Sequence, residues 1–342
     1  MNLKSKSCSE LGRGIQNLKW LGLSVIAFVI VVAWAVAQAQ QPAKVAKIGW
    51  LGALPAASDT GSELFARELR KLGYVEGKNI GFEYRYAENQ LDRLPALADE
   101  LVRLKVNVIV TPSDSQALAA KNATRTIPIV FYSVGDPVAL GLVDSLARPG
   151  RNVTGFATMG SVLAGKRLEL LKETVPKLSR VALLWNPEDP SSRIGWKESQ
   201  LPARDLGLQL HSIEVSSADK LESAFKEVSK GGSAALAVAS TTLFIGIQKR
   251  ITDLAAKNRL PAIYNRGDYI DSGGLMSYSG DRAEPYRRAA SLVDKILKGT
   301  KPEDLPVEQP TKFEFVINLK AAKQIGLTIP PNVLARADRV IR

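Results

Sequence analysis

Twice in this chain a proline-led apolar run ends in tyrosine, followed by a two-residue turn and a Gly-Asp step. The first copy is Ile127-Pro128-Ile129-Val130-Phe131-Tyr132-Ser133-Val134-Gly135-Asp136. The second, one residue shorter, is Leu260-Pro261-Ala262-Ile263-Tyr264-Asn265-Arg266-Gly267-Asp268. Short runs that are apolar on both faces read as strands covered on both sides, the kind found in parallel sheets flanked by helices. In the first copy, Ser133–Asp136 is a polar turn and Asp136-Pro137 an N-cap with proline at the first helical position. A short helix over Val138–Leu146 is expected next. The Arg148-Pro149-Gly150 turn and the extended Asn152-Val153-Thr154 are then expected to carry the chain away from that sheet.

The segments around both copies alternate in the same way. Before the first, strands over Lys47–Leu51, Ile80–Tyr86 (an edge strand by its period of two) and Val106–Val110 alternate with helices over Ser62–Leu72, Leu91–Leu104 and Gln116–Asn122. After Gly155 the series restarts. Helix Leu163–Thr174 precedes strands Arg180–Trp185, Leu208–Val215 and Ala234–Ala239, with helices up to Leu206, over Leu221–Ser229 and over Ile245–Lys257 between and after them. Strand Gly274–Tyr278, helix Pro285–Leu297, the Pro- and Gly-rich 298–310, strand Phe313–Ile317 and helix Asn318–Ile325 complete the chain. Two βα series imply an α/β protein of two doubly wound parallel-sheet lobes. The expected lobes are 45–156 with 275–306 and 157–274 with 307–342, joined by a three-segment hinge. A length of 342 residues suits two domains.

Ahead of the first strand, Lys4, Lys6, Arg13 and Lys19 precede the almost wholly apolar Trp20–Ala37, and Ala37-Gln38-Ala39 fits a small-x-small cleavage site. The expectation is an exported, periplasmic protein whose signal peptide, 1–39, is cleaved near Ala39; a retained anchor at 20–37 is the alternative. Removing that segment takes away four Lys/Arg and one acid, so the formal charge falls from +12 to +9. The basic residues are scattered among acids without interleaved aromatics, which favours a solvated basic surface and no nucleic-acid partner. The single cysteine, Cys8, precedes the apolar run. The single histidine, His211, sits in a strand alternation. Metal cages, thiolate nucleophiles and nucleotide loops are therefore absent, and no cofactor is expected. Asp136, Asp268 and Asp281 leave room for acid–base chemistry by converging carboxylates, so an enzyme acting on a small polar metabolite stays an alternative.

In open parallel sheets, ligands sit outside the carboxyl ends of the strands. The loops there are Gly52–Thr60, Thr111–Ser115, Ser133–Asp136, Asn186–Ser192, Ser240–Thr242, Asn265–Asp268 and Tyr278–Asp281. Ser113 and Ser115 stand at a helix start, where hydroxyls and free N–H groups suit a carboxylate; simple capping serves either serine equally well. Asp136 and Asp268 suit an ammonium group, and Tyr132, Trp185 and Tyr278 can sandwich a flat body. Ser133, Asn186, Thr241 and Asn265 complete the candidate ligand-binding set.

Three stretches carry a resemblance. They are Leu72-Gly73-Tyr74-Val75-Glu76-Gly77-Lys78-Asn79, Val134-Gly135-Asp136-Pro137 through Asn152-Val153-Thr154-Gly155, and Phe315-Val316-Ile317-Asn318-Leu319-Lys320, with Leu327-Thr328-Ile329-Pro330-Pro331 at the end. They resemble the substrate-binding proteins of bacterial ABC transporters, the tryptophan- and phenylalanine-binding members included, over nearly all of Lys47–Arg342. The resemblance implies the type I periplasmic binding fold, with no enzymatic activity. It implies a receptor that captures a small amino-acid-like ligand, aromatic ones included, and delivers it to an ABC permease and its ATPase in the inner membrane. Pro112-Ser113-Asp114-Ser115 is bulkier than the Thr-Pro-Ala type of loop expected there, and Ser279-Gly280 replaces a common Gly-Pro. A membrane-tethered sensing domain would share the fold.

Overall fold

The computed structural model describes residues 45–159 and 163–342. The export segment expected over 1–39 lies outside the described residues, among which no helix is long and apolar enough to cross a membrane. Two sheets organise the chain. The first holds β1 (Ala46–Gly52), β2 (Ile80–Tyr86), β3 (Val108–Thr111), β4 (Ile129–Val134) and β5 (Val153–Ala157), all parallel, in the order β2-β1-β3-β4-β5. The second holds β6 (Arg180–Trp185), β7 (Gln209–Glu214), β8 (Ala235–Val238), β9 (Ala262–Tyr264), β10 (Met276–Gly280), β11 (Phe313–Asn318) and β12 (Arg339–Ile341). Its order is β12-β11-β10-β9-β8-β6-β7, parallel except where β10 meets β11.

The run β7-β6-β8-β9-β10 repeats the order of the first sheet, so β4 and β9 occupy the same place. The proline that opens each copy has the same task. Pro128 O accepts from Ile109 N of β3 and Pro261 O from Leu236 N of β8, both at 2.8 Å. Proline lacks an N–H, but its carbonyl still joins the ladder, so it fits at a strand's first residue.

Helices follow the strands and cover both faces. They are α1 (Thr60–Lys71), α2 (Leu94–Arg103), α3 (Asp114–Ala123), α4 (Ala164–Thr174), α5 (Pro190–Asp205), α6 (Leu221–Lys230), α7 (Thr242–Gly246), α8 (Gln248–Lys257), α9 (Asp268–Asp271), α10 (Glu284–Leu297), α11 (Leu319–Ile325) and α12 (Pro331–Leu334). On one face of the first sheet, Ile48, Trp50, Val108 and Val130 meet Phe65 and Leu69 of α1 and Ala289, Leu292 and Val293 of α10. On the other, Ile109, Ile129 and Phe131 meet Leu97 and Leu101 of α2 and Ala117 and Ala120 of α3. The second sheet has its own pair of cores. Trp50 and Phe65 are fully buried. At about 1.5–3 kcal/mol per large apolar side chain, this burial drives each layer together.

Four expectations are corrected. The stretch after Asn152 does not leave the first sheet: Val153–Ala157 is its fifth strand, paired Ile129↔Val153 through Phe131↔Gly155. Asn152 Nδ2 fastens it by donating to Thr124 O and Ile127 O. A Cβ at Gly155 would lie 2.2 Å from Phe131 O, so only glycine permits that approach. Second, 138–146 is turns rather than a helix. Asp136 Oδ1 accepts from Val138 N and Ala139 N as a cap would, but Gly141 enters the left-handed region (φ +65°) and stops propagation. Third, β10 belongs to the second sheet, where Met276 pairs with Ile263 and Ile317 and is fully buried; the crossing to α10 therefore follows Gly280, not Gly274. Fourth, the helix expected over Ile245–Lys257 is two, α7 and α8, parted at Ile247.

The chain passes between the sheets three times: after β5, after β10, and before β11. The third pass runs alongside the first, with Glu308 N donating to Gly155 O at 2.9 Å and Ala157 N to Glu308 O at 2.8 Å.

Candidate functional site

A cavity of about 700 Å³, partly open to solvent, lies against all three passages: Phe156 and Thr158 border the first, Ser279–Arg282 the second and Pro310 the third. It continues outward into a cleft of about 1020 Å³ between the strand ends of the two sheets. Tyr132, Ser133, Arg266, Asp268, Arg282 and Tyr286 line both.

Local geometry aims these groups inward. The β4–β5 register breaks between Phe131 and Val134, a bulge that reorients Tyr132 and Ser133 at the strand's end. The Tyr132 ring lies 5.0 Å from Tyr286 and 5.8 Å from Trp50, so one aromatic cluster runs from the first core to the cavity wall. Burial pushes the Tyr132 phenol well above its ordinary range, the Tyr286 and Asp59 neighbours add to this, and Arg266 opposes it. The phenol therefore acts as a neutral hydrogen-bonding group.

On the facing wall, Arg266 Nη2 donates to Asp268 Oδ2 at 2.7 Å, and Nε reaches both carboxylate oxygens at 3.1 Å. Burial works against charge on both partners. The mutual attraction outweighs it, raising the guanidinium's pKa and holding the Asp268 carboxyl below its usual range. An ion pair that uses the guanidinium's Nε and Nη2 edge leaves Nη1 without a partner among the described residues. Deeper still, Arg167 donates from Nε to Tyr278 O at 3.0 Å, and burial lowers its pKa to about 10.

Asp59, at the N-cap of α1, brings a carboxylate to the outer cleft. Its Oδ1 accepts from Gly61 N at 2.9 Å and from Ser62 N at 3.4 Å, while Oδ2 is buried without a hydrogen-bond partner. A Cβ at Gly61 would stand 2.6 Å from the Tyr132 hydroxyl and 3.1 Å from Asp59 Oδ1, so glycine is what lets these groups converge. Asn265 Oδ1 in the inner cavity and Gln248 Oε1 in the outer cleft are also buried acceptors without donors. Buried polar atoms are normally paired, and those left unpaired beside a cavity point to a ligand with donors.

Of the residues singled out in the sequence, Tyr132, Ser133, Asn265 and Asp268 meet at the inner cavity, and Ser113 joins at the outer cleft. Ser113 Oγ donates to Gln116 Oε1 at 2.6 Å and lies 2.9 Å from Thr242 Oγ1. It therefore ties the two lobes together across the cleft rather than presenting a free anion-binding hydroxyl. Asp136 lines an adjoining pocket of about 540 Å³ with Leu168, Arg167 and Ser240, the last two shared with the inner cavity.

The other five are engaged elsewhere and line none of these cavities. Trp185 stacks on Trp196 at 5.4 Å and donates Nε1 to Ser212 Oγ. Asn186 closes its own loop, donating N–H to Ser192 Oγ and accepting from Glu188 N. Thr241 Oγ1 donates to Asp189 Oδ2 at 3.0 Å. The Tyr278 ring rests on Phe313, and Ser115 lies within the first turn of α3.

Sequence reasoning passed over Asp59, Arg266 and Tyr286. The first two stand in loops it selected, Gly52–Thr60 and Asn265–Asp268. Tyr286 occupies the buried stripe of α10, where periodicity reads it as core. Among the described residues no cluster of His, Cys, Asp or Glu could hold a metal ion.

Comparison with known proteins agrees with this architecture. Residues 57–341 match the family described as ABC transporter substrate binding protein. A curated relative, the tyrosine-binding protein of Clostridioides difficile, is 28% identical over 269 residues, 79% of this chain and 77% of that one. Among solved structures, a conserved domain protein from Vibrio cholerae aligns with a TM-score of 0.81 at 28% identity, covering 87% of this chain and 100% of its own. An ABC domain from Streptococcus pneumonia, solved in complex with L-Trp, aligns with a TM-score of 0.79 at 24% identity, covering 86% and 99%.

Proposed function

The chain belongs to the ABC transporter substrate-binding protein family, and from that premise we propose that it is the receptor of an importer, capturing an aromatic amino-acid-like ligand between its lobes. The family's members are extracytoplasmic binding proteins, not enzymes, and the fold is the two-lobed type I periplasmic binding architecture. The observation that carries the ligand class is the cavity wall. An Arg266–Asp268 ion pair, an unpaired acceptor on Asn265 and the Tyr132 and Tyr286 rings line the cavity beside all three passages, and the cleft that shares this wall adds the unpaired acceptor on Asp59. A small ligand with charged ends and a flat body matches those groups, as do the aromatic ligands named for two of the relatives.

The two sheets with their helices act as lobes, and the three passages act as the hinge. A ligand that touches both walls binds the closed form more tightly than the open one, and this difference drives closure. Export with cleavage after Ala39 would deliver the protein to the periplasm. The closed form would then be handed to the permease and its ATPase.

Thermal unfolding of the cleaved protein with L-tyrosine, L-tryptophan and L-phenylalanine tests the reading. A ligand at 100 times its Kd adds about 2.7 kcal/mol, a rise of several degrees, with compaction in small-angle scattering. No shift with any aromatic amino acid would overturn the ligand class, and steady conversion of a binder to product would overturn the receptor.

A further inference from the structure

We infer that Asp59 receives a protonated amine of the ligand and makes that amine a requirement for binding. This rests on the cleft being the ligand site proposed above. As an N-cap, Asp59 uses only Oδ1, on Gly61 N and Ser62 N. A serine or asparagine would do that work equally well. The second oxygen, Oδ2, is buried and unpaired, and an ionised oxygen withdrawn from water without a donor is costly.

The other carboxylates on the cavity walls are engaged. Asp268 holds Arg266 at 2.7 Å. Asp281 lies 3.6 Å from Arg287 and accepts from Ala283 N. Asp136 caps its own turn. Among the described residues Asp59 has no cation within ion-pair distance. Burial above all raises the Tyr84, Tyr86 and Tyr132 phenols, and the Asp59 charge adds to it; the Tyr86 hydroxyl lies close enough to the carboxylate to interact with it, but these neutral rings supply no countercharge. A cation between Asp59 and these rings would gain both an ion pair and ring faces. Arg266, on the opposite wall, suits the anionic end of the same molecule.

The test measures Kd by calorimetry for three probes that share one ring: L-tyrosine, tyramine and 3-(4-hydroxyphenyl)propionate. In the native protein, L-tyrosine binds and the deaminated acid binds at least about 30-fold more weakly. Asp59→Asn, which keeps the cap, weakens L-tyrosine and tyramine by roughly 30-fold or more and changes the deaminated acid by less than about twofold. Asp59→Ser, which caps through its hydroxyl, repeats the pattern if the asparagine variant does not fold. Equal weakening of all three probes would mean a structural role, and unchanged L-tyrosine affinity in the folded variant would mean no role; either overturns the inference while leaving the receptor reading intact. If the native protein binds none of the three, the inference falls, and binding of L-tryptophan or L-phenylalanine in the same assay decides whether the ligand class proposed above survives it.

Discussion

The ends of β4 and β9 start from one plan and part within four residues. In both, a proline carbonyl accepts at 2.8 Å from the neighbouring strand, and the closing tyrosine is buried. Counting on from the tyrosine, Ser133 corresponds to Asn265, Val134 to Arg266, Gly135 to Gly267 and Asp136 to Asp268. Val134 sinks into the first core, and Asp136 caps 138–139. Arg266 stays on the cavity wall and draws Asp268 in beside it. Repetition thus places the strand, which apolar burial and the proline determine together. The chemistry of the wall is decided by one position, because a carboxylate can be buried there only when an arginine is present to pair with it.

The largest effect comes from making the second copy like the first. Arg266→Val leaves Asp268 buried without its partner and should cost about 3 kcal/mol. This is the low end for a broken buried pair, since the guanidinium side chain is 27% exposed. Asp268→Asn in the same background should restore much of that stability while ligand affinity stays low. Urea unfolding of the two single variants and the double variant measures this as a cycle. Additive losses would show that Arg266 does not depend on Asp268, and the contrast between the two ends would lose its cause.

A sharper version concerns what the β4 end does instead. Gly135 N donates at 3.2 Å to Asp114 Oδ1 at the start of α3, and Ser191 of the second lobe stands against both residues. Burial pushes the Asp114 carboxyl up to about 7. The Asp189 carboxylate, capping α5 from the other lobe, adds to this, while Ser191 and Gly135 N oppose it. Asp189 is itself raised, by burial above all, with Arg193 opposing.

A carboxyl whose folded pKa exceeds its unfolded value keeps its proton longer in the folded state. Its contribution to stability is complete below about pH 4 and is lost as pH rises through about 7. Asp268 has the opposite sign, contributing above its unfolded pKa and losing that contribution as acid protonates it. Subtracting the Asp114→Asn variant from the native protein isolates the first group. From pH 5 to pH 8 the native protein should lose on the order of 2 kcal/mol relative to the variant, read from Tm against pH. A difference independent of pH would mean that the seam between the lobes does not hold a protonated Asp114.

How much of this was legible beforehand follows the same division. Parallel sheets, helix stripes and the equivalence of the two proline-led strands are written in burial patterns, which local sequence carries. The fate of 138–146 was not, because its cap is genuine and only the left-handed Gly141 shows that no helix continues. The assignment of β10 failed because strand pairing is non-local: nothing in Met276–Gly280 says which sheet will hydrogen-bond to it. At the site, the loops at the strand ends were readable and individual residues often were not. Trp185, Asn186 and Thr241 carry suitable groups that neighbours in their own lobe consume. Asp59 looked like any helix cap, and only the orphaned second oxygen distinguishes it.

The smallest effect tests whether the β4 end touches ligand at all. Asp136 carries the right charge for an ammonium partner, but its Oδ1 is committed to Val138 N at 3.1 Å and Ala139 N at 2.9 Å, and it lines the narrower pocket beside Arg167 rather than the aromatic cavity. Asp136→Asn keeps a side-chain oxygen for the cap and should change stability by only a few tenths of a kcal/mol. Asp136→Ala should cost about 1 kcal/mol through the lost cap. Both should leave the affinity for an aromatic amino acid within about twofold, because this half-buried carboxylate lies outside the aromatic cavity and its Oδ1 is already committed to the cap. Calorimetry beside thermal unfolding separates the two readouts. A tenfold loss of affinity in Asp136→Asn with unchanged Tm would put a ligand group in the narrower pocket. The two strand ends would then share a binding role as well as a position, and the division between them would have to be redrawn.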